Sequence, residues 1–146
     1  RDIGVTGVQT CALPILNPKR FNPENLEPAN LQSDEDGEFF IIPGNSYALG
    51  TTPTKLKMPS NILAVILGKS TYARCGVIAN ITPAEAGWEG HLTLEFSNSS
   101  PADVRIYANE GVAQVLFFKS ETARTTYEDR KGKYQGQPER VVFPRM

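Results

Sequence analysis

The chain has 146 residues, a formal net charge of −1 and 40% hydrophobic residues, with 12 glycines and 11 prolines. This length and composition predict one folded, turn-rich domain, and they exclude a disordered chain and a broad basic surface for nucleic acid. No apolar run approaches the roughly 20 residues that cross a bilayer. We therefore expect a soluble, cytoplasmic protein without a membrane or nucleic-acid partner, in which Cys11 and Cys75 are free thiols.

The beginning of the chain differs in character from the rest. Residues 1–16 resemble translated sequencing adapter, so we predict a non-native leader followed by one domain over residues 17–146. The alternative is an ordinary N-terminal strand and turn. Residues 17–37 are rich in Pro, Asn, Asp and Glu with little periodicity, which is typical of a loop that leads into a fold.

Short β-type runs separated by turn signals fill the middle of the chain, and their spacing predicts an all-β sandwich or barrel. The predicted strands are residues 38–42, 46–49, 62–67, 77–81, 91–97, 104–107 and 112–118. A single helical turn is predicted at residues 70–75. The polar, charged segment after residue 118 is expected to be solvated and mobile unless it orders over a ligand.

The segment HLTLEFS, residues 91–97, alternates strictly between apolar and polar side chains. Because successive side chains of a strand point to opposite faces, its leucines and phenylalanine should face the core. Glu95 then points either to solvent or into a polar cleft, where a carboxylate can act as a base.

The segment LGKSTYARCG, residues 67–76, is a predicted strand end followed by a short turn with hydroxyl and cationic side chains. Backbone N–H groups, the hydroxyls of Ser70 and Thr71, and the charges of Lys69 and Arg74 suit phosphate oxygens. It is not a Walker loop, because the upstream glycine and its spacing are absent. The alternatives are that Ser70 caps a helix and Arg74 is a surface charge.

A zinc-dependent deaminase is disfavoured by the residues available. Such enzymes bind the ion with His or Cys together with a Cys-x-x-Cys pair, whereas this chain has one histidine, His91, and two cysteines far apart in sequence. A deaminase with this sequence would have to activate water with protein groups.

Four segments together resemble the dCTP deaminase family of the trimeric dUTPase-like superfamily: LGKSTYARCGV, NITPAEAGWEGHLTLEFSNSSP, IYANEGVAQVLFF and KYQGQ. The resemblance runs from about residue 21 to the C-terminus. It implies a distorted β-barrel, or β-clip, that forms a homotrimer with active sites between subunits. It also implies hydrolysis of dCTP to dUTP and ammonia, which feeds dUMP and dTTP synthesis. The family's N-terminal region of several tens of residues is missing or replaced here.

The resemblance also assigns roles to individual residues. Glu95 matches the catalytic carboxylate, and Ser70 and Arg74 match the serine and arginine of the motif around the substrate. The backbone carbonyl of Ile81 is implied to orient the attacking water. Further substrate contacts are implied for Lys69, Thr71, Tyr72, Ala73, Thr93, Leu94, Gln114, Tyr127, Lys133 and Gln137. Mg²⁺ is expected to bridge phosphates of the bound nucleotide without protein ligands. Inhibition by dTTP, which occurs in many relatives, is left open by the sequence.

Two other functions remain open. A dUTPase or a bifunctional deaminase and diphosphatase would need an Asp on the loop before the strand that carries Glu95, where this chain has Glu85. The other alternative is an inactive, truncated fragment that only binds nucleotide or forms trimers.

Overall fold

The computed structural model describes the backbone of residues 2–3, 6–11 and 16–145, and the side chains of Thr6 and residues 16–145. The predicted leader at residues 1–16 falls mostly outside the described side chains, and so does the thiol of Cys11, so both stay predictions. Cys75 is an exposed free cysteine, as expected.

The described chain is built almost entirely of strands. They are β1 (Asp2–Ile3), β2 (Thr6–Cys11), β3 (Leu26–Pro28), β4 (Gln32–Asp34), β5 (Gly37–Ile42), β6 (Tyr47–Lys57), β7 (Ile62–Gly68), β8 (Val77–Asn80), β9 (Glu89–Asn98), β10 (Val104–Tyr107) and β11 (Ala113–Lys119). A 3-10 helix (Pro23–Asn25) precedes β3, and one short α-helix, α1 (Ser70–Ala73), lies between β7 and β8. The predicted all-β class and the short helical turn are confirmed.

Three small antiparallel sheets enclose the core. Their strand orders are β3-β2-β6-β9-β8, β1-β11-β7 and β10-β5-β4. The pair of β6 and β9 is the longest ladder of the first sheet, and β8 pairs with the other edge of β9. None of the three sheets closes on itself, and together they form a distorted barrel. Within the first sheet, β9 lies between β6 and β8.

The alternation predicted for β9 is present in the structure. Leu92, Leu94 and Phe96 are buried in the core, whereas Thr93 and Glu95 on the opposite face are only partly buried. Because side chains alternate along a strand, Thr93 and Glu95 share the face that points away from the core.

Strand β6 is longer than its sequence predicts. The expected strand ended at residue 49 with a turn at Pro53, but the structure continues it to Lys57. The pairing with β9 shifts register between Thr51 and Lys55. There Thr52 Oγ1 accepts a hydrogen bond from Leu92 N at 3.0 Å, so a side chain replaces the lost backbone partner.

The expected loop at residues 17–37 also contains regular structure: the 3-10 helix and strands β3 and β4. The prediction of an unstructured lead-in is therefore wrong in part. All three residues of β4 are exposed, so no apolar alternation marked it in the sequence.

Within the described residues, no helix has the length and apolar character needed to span a bilayer.

Candidate active site

A cavity of about 730 Å³ opens beside the free face of β9. One wall is formed by Thr93 and Glu95 and a second by residues 81–85. The third is formed by the C-terminal segment, the residues after β11, through Tyr127, Tyr134, Gln137, Val142 and Pro144. Phe21, Leu49, Leu63, Trp88 and Leu92 are among the apolar residues that line it. The cavity combines apolar walls with a few polar side chains, which is typical of small-molecule sites.

Glu95 is partly buried in this cavity, and its closest described partner is Asn80 on the neighbouring strand. The two residues are paired in register, and Asn80 Nδ2 donates a hydrogen bond to Glu95 Oε2 at 3.3 Å. Among the described residues no cation forms an ion pair with Glu95. Burial raises the pKa of Glu95 above its ordinary value, and the hydrogen bond from Asn80 opposes this only partly. Of the two sequence readings of Glu95, the polar cleft is the one found.

Ile81 directly follows β8 and lines the same cavity. Since β8 ends at Asn80, opposite Glu95, the chain brings Ile81 to the neighbourhood of the carboxylate. A carboxylate with a raised pKa beside a backbone segment can both accept and return a proton.

The segment at residues 69–74 lines a different cavity, of about 790 Å³. Lys69, Thr71 and Arg74 are in its wall, whereas Ser70 is exposed and begins α1. Lys69 occupies the N-cap position of α1, so the alternative in which Ser70 caps the helix does not hold. The structure of the single chain therefore does not bring this segment and Glu95 to a common cavity.

The other residues singled out from the sequence are dispersed. Tyr72 is half-buried, its hydroxyl accepts a hydrogen bond from Tyr107 N at 3.2 Å, and burial raises its pKa. Leu94 is fully buried in the core. Ala73, Gln114 and Lys133 are exposed.

The C-terminal segment is folded back along β9, which its polar sequence did not predict. Gly136 N donates to Glu89 O at 2.8 Å, and His91 N donates to Gln137 O at 3.0 Å. Gln137 is buried, and its side-chain oxygen accepts a hydrogen bond from Thr93 Oγ1 at 3.2 Å. The expectation of a solvated, mobile tail is wrong for these residues, because backbone hydrogen bonds hold them against β9.

Close approach at a glycine explains this docking. A Cβ added at Gly90, where φ is +152°, would lie 2.7 Å from Gln137 N. Trp88 completes the contact, since its Nε1 donates to Tyr134 O at 2.9 Å. The glycine and the tryptophan in GWEGH were visible in the sequence, but nothing there indicated that a distant polar segment packs on them.

Charged groups around the site are few. Glu85 lines the cavity and forms an ion pair with Arg130, which the sequence did not indicate. No group of three or more His, Cys, Asp or Glu side chains lies together in the part of the chain that the structure describes.

Comparison with known proteins identifies the family. Residues 14–120 match the family model described as dCTP deaminase-like. A dCTP deaminase of Xanthomonas oryzae pv. oryzae is 54% identical over 132 residues, which are 90% of this chain and 66% of that protein. A dCTP deaminase of Campylobacter jejuni is 51% identical over 133 residues, covering 90% of this chain and 68% of that protein. The chain thus spans about two thirds of the length of these relatives.

A solved structure of native EIAV dUTPase shares the fold. It superimposes with a TM-score of 0.51 at 19% identity, covering 64% of this chain and 85% of that one. This likeness supports the dUTPase-like fold and, at such low identity, nothing about activity. On the family model and the sequence identities, the chain belongs to the dCTP deaminase-like family.

Proposed function

We propose that the chain is a cytoplasmic hydrolase that converts dCTP to dUTP and ammonia, with Glu95 activating the water and no zinc in the reaction. Membership of the dCTP deaminase-like family supports the substrate. The single observation that carries the mechanism is Glu95: a partly buried carboxylate with a raised pKa that lines a cavity and has no ion-pair partner among the described residues.

The proposed reaction needs one group that moves a proton twice. Glu95 takes a proton from a water held between it and the Ile81 carbonyl, the water oxygen bonds to C4 of cytosine, and the C4=N3 double bond opens as N3 receives that proton from Glu95. The same carboxylate then moves the proton of the new C4 hydroxyl to the amino nitrogen, so that C4=O forms, the bond from C4 to the amino nitrogen breaks, and ammonia leaves. Asn80 holds one carboxylate oxygen, so the other is free to face the water.

Phosphate binding is assigned to the second cavity. Lys69, Thr71 and Arg74 offer ammonium, hydroxyl and guanidinium donors that suit anionic oxygens, and Asp103 and Glu110 also line this cavity. We place Mg²⁺ on the triphosphate, where it would neutralise part of the phosphate charge, and not on protein side chains. Ser70 is assigned to the water of the neighbouring subunit's site.

A homotrimer reconciles the two separate cavities, because the phosphate segment of one subunit can then complete the Glu95 cavity of the next. The outer face of β7 and β11 supports such assembly, since it exposes apolar side chains that a monomer rarely shows together. In the register of the two strands, Leu67, Val65 and Leu63 lie opposite Gln114, Leu116 and Phe118. Gln114 and the start of the 69–74 segment adjoin this face, so an interface there would bring both to a neighbouring subunit.

The diphosphatase alternative depends on Glu85, which also lines the Glu95 cavity. Its carboxylate is already paired with Arg130, so we assign it no role in activating water and favour a deaminase without diphosphatase activity. An inhibitory dTTP would bind the same cavity and act on the loop at residues 78–85.

Mixed trimers test both the deamination and the shared site. Glu95→Gln and Arg74→Gln are each expected to be inactive, because each removes one half of every site. When the two variants are co-expressed and purified as mixed trimers, about one quarter of wild-type activity should return, because one interface in four combines two intact halves.

The outcomes separate the alternatives. Mixed trimers that stay inactive, beside an active wild type, would refute the inter-subunit site. A wild-type protein that forms no ammonia from dCTP would support the inactive-fragment reading.

A further inference from the structure

Arg130 lies at the only charged contact found, within the described residues, between the C-terminal segment and the loop beside the cavity. Its guanidinium is paired with the carboxylate of Glu85, and its Cζ lies 5.1 Å from the centre of the Tyr127 ring. Glu85 and Tyr127 both line the cavity, whereas Arg130 does not. Arg130 therefore contacts two cavity residues from outside.

The turn that carries Arg130 is well defined. Asp129 Oδ2 accepts hydrogen bonds from Thr126 N at 2.8 Å and Thr126 Oγ1 at 2.7 Å. A Cβ added at Gly132 would lie 2.2 Å from the Tyr127 ring, so the chain wraps closely around that side chain. Because the turn is fixed by its own contacts, Arg130 is presented to the loop in one direction.

Besides the ion pair, a backbone hydrogen bond joins the turn to the loop at residues 81–87. Tyr127 N donates to the carbonyl oxygen of Ala86, the residue after Glu85, at 2.8 Å. Beyond the turn, residues 134–137 are bound to the start of β9 by backbone hydrogen bonds. The ion pair thus lies where the segment first reaches the cavity, ahead of the part that docks along the strand.

We propose that Arg130 is a positioning residue for the active site: by pairing with Glu85 and covering Tyr127, it holds residues 126–137 closed against the cavity. The proposal rests on the proposed function only for its effect on dCTP. The hold itself depends on contacts within the chain.

The expected effect is modest, because the ion pair is exposed. The side chains of Arg130 and Glu85 keep 49% and 46% of their accessible surface. An exposed ion pair together with one cation–π contact should change the fraction of open segment by about fivefold.

Protease accessibility measures the open segment without any substrate. A lysine-specific protease cleaves after Lys131 and Lys133, and mass spectrometry quantifies these cuts. Arg130→Gln should speed them about fivefold. Glu85→Gln should do much the same, and the double variant should add little. Arg124→Gln is the matched control, since Arg124 is exposed, lies two residues before this segment and forms no ion pair among the described residues.

Two further readouts distinguish an ion pair from general loosening. Raising the salt concentration should speed cleavage in wild type but not in Arg130→Gln, because salt screens only the charged contact. Arg130→Lys keeps the charge but adds a cleavage site, so it is compared by emission, which should return most of the way to that of wild type. Trp88, the single tryptophan, reports the same opening through a red shift of its emission, since its indole is buried and bonded to Tyr134.

Kinetics with dCTP test the effect on the site. Arg130→Gln should raise KM several-fold over Arg124→Gln with kcat within about twofold, because substrate must then also hold the segment closed. The proposal would be overturned if Arg130→Gln were cleaved at the same rate as wild type and had the same Trp88 emission. It would also be overturned if Arg130→Gln were cleaved faster with no change in KM. A wild-type protein that does not deaminate dCTP would defeat the proposed function and leave the cleavage and emission results standing.

Discussion

Replacing Glu95 by glutamine should remove activity and stabilise the fold, because the same burial that suits catalysis is unfavourable for a charge. Burial raises the pKa of Glu95, so at neutral pH the folded protein carries a carboxylate in an environment that disfavours it. Each unit by which a folded pKa exceeds the unfolded one corresponds to about 1.4 kcal/mol. Glutamine keeps an oxygen that can accept the hydrogen bond from Asn80 and carries no charge, so the free energy of unfolding should rise at pH 7.

The magnitudes follow from this geometry. Because Glu95 is only partly buried, solvent weakens the penalty on its charge, so we expect Glu95→Gln to raise Tm only slightly at neutral pH. Removing a general base lowers kcat about 100-fold or more. Thermal unfolding and ammonia release, measured on the same preparations, report the two effects.

The pH dependence has a defined sign. The stability that protonated Glu95 contributes is present below its unfolded pKa and is lost as pH rises through its raised folded pKa. The gain in unfolding free energy of Glu95→Gln over wild type should therefore develop between the unfolded and the folded pKa of Glu95 and stay constant at higher pH. Wild-type kcat should fall as the pH is lowered, because Glu95 then becomes protonated. This fall should occur at a higher pH than the titration of an ordinary glutamate, since the pKa of Glu95 is raised.

Glu89 on the same strand is the matched control, because its shift has the opposite sign. The hydrogen bond and charge of Lys55 lower the pKa of Glu89, so its stabilisation is present at neutral pH and is lost as pH falls through the folded pKa. Glu89→Gln should thus be less stable than wild type at neutral pH and equal to it in acid. Destabilisation of Glu95→Gln at pH 7, or near-normal turnover in that variant, would refute the reasoning.

Three further changes test the structure around the site. Asn98→Ala should lower the free energy of unfolding by about 3 kcal/mol, because the buried amide donates to Ile42 O, Pro43 O and Ala102 O. Denaturant unfolding measures this loss, with the exposed Ser97→Ala as the control. An equal loss of stability in both variants would contradict the prediction. Gly90→Ala, whose Cβ would lie 2.7 Å from Gln137 N, should displace Gln137 and shift Trp88 emission to the red. Gly136→Ala also places an alanine at a positive φ, +69°, but its Cβ would meet nothing within 4 Å, so this control carries backbone strain without the clash and should shift the emission less. Leu116→Glu should convert trimers to monomers in sedimentation experiments while the fold is kept, and Leu31→Glu, equally exposed elsewhere, should leave assembly unchanged.

The sequence predicted what depends on local pattern. Alternation along residues 91–97 correctly placed Leu94 in the core and Glu95 on the opposite face, and the turn after Gly68 appeared as α1. Both are consequences of side-chain direction and turn chemistry within a few residues, so neighbouring positions carry the whole signal.

What the sequence did not predict depends on contacts between distant segments. The continuation of β6 past Pro53 requires Thr52 to replace a backbone partner from β9, and the docking of Gln137 requires space at Gly90. Nothing near residue 137 indicates that a glycine 47 positions earlier leaves room for it. The pairing of Glu85 with Arg130 is hidden for the same reason.

The most direct test of Glu95-dependent deamination is to incubate the purified chain with dCTP and Mg²⁺ and measure ammonia and dUTP, with dUTP supplied in a parallel reaction. We expect equal amounts of ammonia and dUTP from the first tube, none with Glu95→Gln, and neither dUMP nor pyrophosphate from the second. Absence of ammonia from the wild-type reaction, or its undiminished release by Glu95→Gln, would contradict the proposed function.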